Sequence, residues 1–327
     1  MTTNELVSVI VPTYYRNQYL RECLQSVLEQ DYRPIEIIVV DDSGEAHAKE
    51  VVDEFEDVRY VALDQNRGAQ AARNRGFRHA SGAHVQFLDD DDRLTCDKIQ
   101  KQVDLLQKSP EIGVVSCGVK YESGWVEIPP DLARSRPLEE ALSFNNLWRY
   151  STLLIRYSTL LDIMPLDERA EGAGDAKLGI ELARRTGYDF VDAPLVLGGE
   201  PERRLGKSWE ALEALRRMMT EYEQLYDEVD PTVKRQACAD INSLEGHLRL
   251  QESVWSAAAI TAHAKAVHFS PRPQKLMRFL NLLASLFGRH GVQIGSLILR
   301  RARAFRNDAM ATDSNKNGHK RESDSIL

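Results

Sequence analysis

The sequence predicts an α/β fold built on a mostly parallel sheet, followed by a helical C-terminal region. Three observations predict it. Short β-branched runs alternate with segments of helical period through the first third of the chain, each run ends in a polar cluster, and beyond residue 206 helical periodicity takes over. Strand–helix alternation implies parallel strands with helices on both faces of the sheet. Ligands of such sheets bind beyond the carboxyl ends of the strands.

The elements follow in order. Residues 7–11 (Val-Ser-Val-Ile-Val) are a short β-branched run closed by Pro12 and read as a buried strand. Asn17 is placed to cap a helix whose apolar positions are Leu20, Cys23, Leu24, Val27 and Leu28. Residues 35–40 give a second buried strand ending at Asp41 and Asp42, residues 46–55 a helix, and residues 58–63 a third strand. A helix over 69–80 closed by Gly82 precedes a fourth strand, 84–88, which runs into four consecutive aspartates. Ile99, Val103 and Leu106 mark the next helix. Residues 113–121, 125–128 and 151–156 read as strands, and residues 175–186 as a helix ending at Gly187. Helices are then expected over 209–228, 231–250 and 255–267, with two more in a basic stretch. The expected division is 1–205 for the α/β domain, 206–307 for the helical region, and 308–327 for a polar tail without fixed structure.

Composition narrows the class. A chain of 327 residues, 43% hydrophobic, is long enough for one large α/β domain and an appendage. Four scattered cysteines without a C-x-x-C pair argue against a disulfide framework or zinc knuckle and favour a reducing compartment. The N-terminal segment lacks the basic and long apolar regions of a signal peptide, and no stretch approaches the ~20 apolar residues that span a bilayer. A cytoplasmic location is therefore expected, with a peripheral place on the cytoplasmic face of the membrane as its variant. The net charge of -8 is uneven, because residues 271–307 hold eight Lys/Arg and no Asp or Glu. Such asymmetry marks a surface for an anionic partner.

The chemistry centres on Asp89, Asp90, Asp91 and Asp92 at the end of the fourth strand. Adjacent carboxylates repel, and a divalent cation removes the repulsion. Oxygen ligands on a tight turn suit Mg²⁺ or Mn²⁺, which keep waters and take substrate phosphates as further ligands. Asp89 and Asp91 alternate and can face one ion. A charge run of this kind is otherwise an ordinary solvated turn. A calcium loop is disfavoured, since its D-x-D-x-D-G spacing is missing.

Six segments in register resemble the family 2 glycosyltransferases of GT-A fold: Val7 to Tyr14, Ile38 to Ser43, Asn66-Arg67-Gly68, Ala72 to Gly76, Ala80-Ser81-Gly82 and Phe87 to Asp92. The resemblance covers roughly residues 6–200 and implies a nucleotide-diphospho-sugar transferase with a Rossmann-like sheet. It implies that Pro12, Thr13 and Tyr14 border the nucleotide base, that Asp42 accepts a hydrogen bond from it, and that Arg73 lies in the donor site. A carboxylate at 42 suits the imide N–H of uracil, so a UDP-sugar is favoured. Asp89 and Asp91 match the D-x-D motif, with Asp91 the closer metal ligand and Asp90 near the ribose. The general base falls on Asp175, with Glu171 and Asp167 as fallbacks. Gly174 stands before it where the family more commonly has Glu or Asp, which is a departure. Outside the family, Asp42 and Asp175 are also good helix-capping residues and Arg73 an ordinary helix-surface arginine. Arg203 and Arg204 are the nearest candidates for holding the diphosphate, against a solvated loop. The implied reaction is inverting transfer to a polysaccharide, lipid-linked glycan or other hydroxyl acceptor. A non-catalytic sugar-binding or assembly subunit is the alternative, and a sugar-phosphate nucleotidyltransferase is disfavoured because the N-terminal strand is not followed by a glycine-rich loop.

In the basic stretch, Leu276, Phe279, Leu280, Leu283, Leu286 and Phe287 form one apolar stripe, with Lys275, Arg278 and Arg289 beside it. Ile294, Leu297 and Ile298 lead into Arg300, Arg301 and Arg303. An interfacial helix pair on anionic lipid through 271–306 and a helix pair packed on the catalytic domain are both open. Nucleic acid is not expected, for want of an accompanying motif.

Overall fold

The runs at 7–13 and 35–41 are largely buried on both faces and need a cover on each, so they lie inside the sheet, while the half-exposed run at 58–62 lies at its edge. The computed structural model describes residues 4–144, 148–199 and 208–292. In order they are β1 (Val7–Thr13), α1 (Asn17–Leu28), β2 (Ile35–Asp41), α2 (Lys49–Val52), β3 (Val58–Ala62), α3 (Ala69–Phe77) and β4 (His84–Phe87). Next come β5 (Arg93–Leu94), α4 (Lys98–Lys108), β6 (Ile112–Tyr121), β7 (Val126–Glu127), α5 (Leu132–Ser135) and α6 (Pro137–Leu142). A 3-10 turn (Tyr150–Thr152) precedes β8 (Leu154–Arg156), α7 (Tyr157–Leu161), α8 (Gly174–Ala183) and β9 (Gly187–Gly198). The last helices are α9 (Trp209–Glu221), α10 (Glu223–Asp227), α11 (Pro231–Glu252), α12 (Ala257–Phe269) and α13 (Arg272–Ser285).

The strands form one sheet in the order β3-β2-β1-β4-β8-β6-β9-β5, with β7 on β6. The first four are parallel, β8 is antiparallel to β4 and β6, and β9 is parallel to β6. Side chains alternate across the sheet, so β1 sends Ile10 to one core and Val7, Val9 and Val11 to the other. The first core contains α3 and α8; the second contains α1 and α4. Each fully buried Val or Ile contributes roughly 1.5–3 kcal/mol relative to exposure, which is why these strands are fixed by their sequence.

Several elements differ from the expectation. Asn17 is the first residue of α1 and does not cap it; its side-chain amide donates to the His47 carbonyl. The helix expected over 46–55 shrinks to α2, because the Asp41 carboxylate accepts from the Ser43 and Ala48 backbone N–H groups and folds the intervening chain into a loop. β5 and β9 carry no clear strand signal; Asp189, Asp192 and Pro194 interrupt β9, and its register with β6 shifts there.

The chain divides into two compact units, Met1–Ala237 and Cys238–Leu327. The break falls within α11, later than the expected 205/206 boundary, because Ala214, Met218, Tyr222, Tyr226 and Val233 enter the first core. In the second unit α12 buries Ala259, Ala262, His263 and Ala266. Arg278 stands beside the apolar stripe in the sequence. It is buried, donating to the Ala239 carbonyl and to Asp240 at 2.6 Å. Residues 293–306 of the basic stretch and the 308–327 tail lie outside the described residues. Among the described residues no helix is long and apolar enough to cross a membrane.

Candidate active site

The site is assembled at the carboxyl ends of β1, β2 and β4. Thr13 pairs with Asp41 in the sheet, and the Asp42 N–H donates to the Thr13 carbonyl, so the polar ends of β1 and β2 lie side by side. Thr13 Oγ1 donates to Asp90 at 2.8 Å, which joins the β4 end to the same rim. The three segments far apart in sequence meet as expected. Pro12 and Thr13 are buried within β1, while Tyr14 is exposed at its end.

Asp42 is buried, and its two carboxylate oxygens accept from the backbone N–H groups of Arg67 and Gly68, each at 2.8 Å. Gly68 has φ +88°, a left-handed value that suits glycine, so the turn before α3 is shaped around this carboxylate. Each oxygen keeps a lone pair for a further donor. Burial, ahead of the two backbone bonds that oppose it, leaves the Asp42 carboxyl above its ordinary range.

The aspartates divide their contacts. Asp89 pairs with Arg73 at 2.5 Å, and its backbone N–H is held by Ser151 Oγ at 3.1 Å. Arg16 donates to Asp90 at 3.2 Å and to Asp91 at 2.8 Å. Burial pushes Asp90 up to about 6 despite Arg16 and Thr13. Asp91 and Asp92 are also raised, first by desolvation and then by neighbouring carboxylates. Asp89 and Asp91 thus face different arginines, and among the described residues no three His, Cys, Asp or Glu side chains converge as a complete metal-binding set. The donors nevertheless fit a hard divalent ion: they are all oxygen, Asp89 and Asp91 are half exposed, and the cluster carries repulsion that a cation relieves.

Arg73 is a buried residue of α3, contrary to an ordinary surface arginine. Its guanidinium lies 3.8 Å from the centre of the Tyr150 ring and donates to Gln70 Oε1 at 3.2 Å. Tyr150 also donates to Gln70 Oε1, at 2.9 Å. Asp175 sits in the first turn of α8, not at its cap, and accepts from the Ala176 N–H at 2.9 Å. Desolvation raises its pKa, the charge of Asp89 adds to the rise, and Arg149 and Arg73 oppose it. Asp175 therefore shares the electrostatic field of the aspartate turn. The fallback Asp167 is held strongly ionised by Arg169 and then Lys177, which removes its basicity. Glu171 is exposed next to Gly68. Arg203 and Arg204 lie outside the described residues.

Sequence reasoning missed the support under the site. Lys98 is fully buried and donates to Gln86 and to Gln102 Oε1. Gln86 in turn donates to the Tyr150 and Ser151 carbonyls at 3.1 Å, and Gln102 to the Val115 and Thr152 carbonyls. This network fixes the 3-10 turn whose Ser151 and Tyr150 hold Asp89 and Arg73. The available signal was polar Gln86 inside an apolar strand and Gln102 beside Val103 on an apolar helix face.

The sheet order and the acidic rim at its strand ends are those of a GT-A-type fold. Residues 8–163 match the model of Glycosyl transferase family 2, and the chain carries a glycosyltransferase family 2 domain. Glycosyltransferase AglE of Haloferax volcanii is 26% identical over 215 residues, covering 63% of this chain and 70% of that protein. The chain spans less than half the length of most of the curated relatives it matches. Among solved structures, S. aureus TarS 1-349 in complex with UDP-GlcNAc superposes with TM-score 0.58 at 17% identity, over 90% of this chain and 92% of that one. The mannosyltransferase PcManGT from Pyrobaculum calidifontis, in complex with GDP-Man and Mn²⁺, gives 0.55 at 20% identity, over 92% and 87%.

Proposed function

We propose that this chain is an inverting glycosyltransferase that moves a sugar from a nucleotide-diphosphate-sugar to a hydroxyl of a polysaccharide or lipid-linked glycan. The observation that carries the reading is the placement of Asp175: a carboxyl of raised pKa at the head of α8, coupled electrostatically to Asp89 at the end of β4 and to Arg73 of α3. Asp175 accepts the proton of the acceptor hydroxyl as that oxygen attacks the anomeric carbon. The nucleoside diphosphate departs from the opposite face, so the configuration inverts. General base catalysis of this kind is worth about 10²–10⁴ in rate. An acceptor that is already an ionised lipid phosphate depends less on it.

Asp42 receives the base edge with its remaining lone pairs, which favours a UDP-sugar, and Pro12, Thr13 and Tyr14 border the base. Asp90, held by Thr13, lies near the ribose, and Arg73, buried and paired with Asp89, belongs to the donor site. Asp91 and Asp89 are the residues that would hold Mg²⁺ or Mn²⁺, which when bound supplies positive charge to the leaving diphosphate. TarS and PcManGT, which share the fold, were solved with UDP-GlcNAc and with GDP-Man and Mn²⁺. Gly174 gives no support to a non-catalytic subunit, because its lack of a side chain leaves room for Gln70, which a Cβ there would overlap.

The test is turnover of a panel of UDP-, GDP- and dTDP-sugars with Mn²⁺ or Mg²⁺, for the wild type, Asp91→Ala and Asp175→Asn. Turnover of one donor, lost in both variants, is expected. Retained turnover in Asp175→Asn with a neutral hydroxyl acceptor would sink the base assignment.

A further inference from the structure

We propose that the exposed face of α13, together with the Val254–Trp255 turn, docks the protein on an anionic lipid bilayer. The inference stands apart from the sugar-transfer reading and rests on the second unit alone. Leu276, Phe279, Leu280, Leu283, Leu286 and Phe287 follow helical spacing, and each is exposed, from 41% for Leu280 and Leu283 to 78% for Phe287. The opposite side of the same helix is anchored by buried Arg278 and Ser285, so the apolar face cannot turn inward without breaking the Arg278–Asp240 pair. The far end of the face is extended by a second segment. The Arg289 N–H donates to the Val254 carbonyl at 2.7 Å and Trp255 Nε1 to the Leu286 carbonyl at 3.3 Å. Those bonds hold Val254 and Trp255 beside Leu286, each 58% exposed.

A contiguous apolar face of this kind marks an interaction site. Its chemistry selects the occupant. Exposed Arg272 and Lys275 stand at its start, and no Asp or Glu occurs between residues 271 and 307. A second copy of the chain using the same patch would bring these cations against their own images. A bilayer rich in anionic headgroups satisfies both parts, taking the aliphatic and aromatic side chains at the headgroup–acyl boundary and the cations at the phosphates. A tryptophan at the edge of the face suits that boundary.

The full-length protein is co-sedimented with vesicles of phosphatidylcholine alone or with about a third phosphatidylglycerol. Binding to the anionic vesicles is expected to be at least about tenfold tighter and to weaken with salt. Phe279→Ser with Phe287→Ser is expected to lower it by about tenfold or more, with an unchanged thermal melt because both side chains are exposed. Lys275→Glu with Arg272→Glu is expected to remove the preference for anionic lipid and leave the melt unchanged. Absence of vesicle binding, or equal binding to both compositions that ignores the phenylalanines, overturns the proposal. A wild-type dimer that the phenylalanine substitutions dissociate, with no vesicle binding, assigns the face to a second copy and overturns it too. Donor hydrolysis in solution is expected to be unchanged in these variants, so it reports on the sugar-transfer reading separately.

Discussion

Gly174 and Gln70 are a fitted pair: a Cβ on Gly174 would overlap the side-chain amide of Gln70, whose Oε1 is engaged by Tyr150 and Arg73. A side chain at the head of α8 therefore has to displace the residue that positions the Arg73 guanidinium. The glycine that departs from the family's commoner acidic residue is thereby explained by α3, not by any loss of catalytic machinery.

Gly174→Ala is expected to push Gln70 from its place and to loosen Arg73 over Tyr150. Because the end of Gln70 is flexible, the stability cost is small, about 1 kcal/mol for a hydrogen bond lost. Donor turnover falls further than stability does. Combining Gly174→Ala with Gln70→Ala opens the space, and the double variant is expected to regain stability but not activity. Urea denaturation and steady-state kinetics on the three variants check this; additive stability losses would show that the two positions do not meet.

Asp175→Asn is expected to retain donor binding and lose about 10²–10⁴ in turnover with a neutral hydroxyl acceptor. The pH profile supplies the sign. Burial raises the Asp175 pKa, and the base works only when ionised, so kcat/KM falls on the acid side at a pH above the ordinary carboxylate range. That acid limb is expected to vanish in Asp175→Asn. Its persistence there would assign the limb to another group.

Asp42→Asn replaces one accepting oxygen by an N–H donor, which then faces a backbone N–H of Arg67 or Gly68. A loss of about 1–3 kcal/mol is expected from that unsatisfied pair, together with weaker donor binding. Calorimetric melts and donor titration measure the two effects. Unchanged stability would mean that the turn before α3 does not depend on this carboxylate.

Lys98 carries a pH dependence of stability. Its pKa is lowered by burial to about 8, below the unfolded value of 10.5. Between those values the unfolded chain binds more protons than the folded one, so the contribution to stability rises with pH through that window. Below pH 8 both states are protonated and the cost of burying the charge is fully present. From pH 7 to 9.5 the wild type is expected to gain about 2 kcal/mol relative to Lys98→Met. Urea midpoints of the two proteins across that range test it, and parallel curves would exclude the shift.

The readable parts of this chain are those whose information is local. β1, β2, β3 and β4 were legible because β-branched runs such as Val-Ser-Val-Ile-Val need no partner to be recognised. β5 was not: it is two residues long and exists only through its pairing with β9. The same holds for residues 46–55, where local propensity favoured a helix and the Asp41 carboxylate imposed a loop from outside that segment. In the site, Asp42, Asp89, Asp90, Asp91 and Asp175 stand in legible motifs. Arg16, Gln70, Tyr150, Ser151 and Lys98 do not, since each has a partner between 12 and 80 residues away in sequence.

By itself the sequence determined the succession of buried strands, the acidic turn at the end of the fourth, and the basic, apolar-striped C-terminal segment, because hydrophobic period and charge are properties of neighbouring residues. Only the tertiary structure decided which carboxylates are paired and which are raised, that Arg73 is buried under Tyr150, that Arg278 faces inward, and that Gly174 meets Gln70. Those outcomes depend on which groups the sheet order brings within a few ångströms of each other, and on how much water it leaves between them.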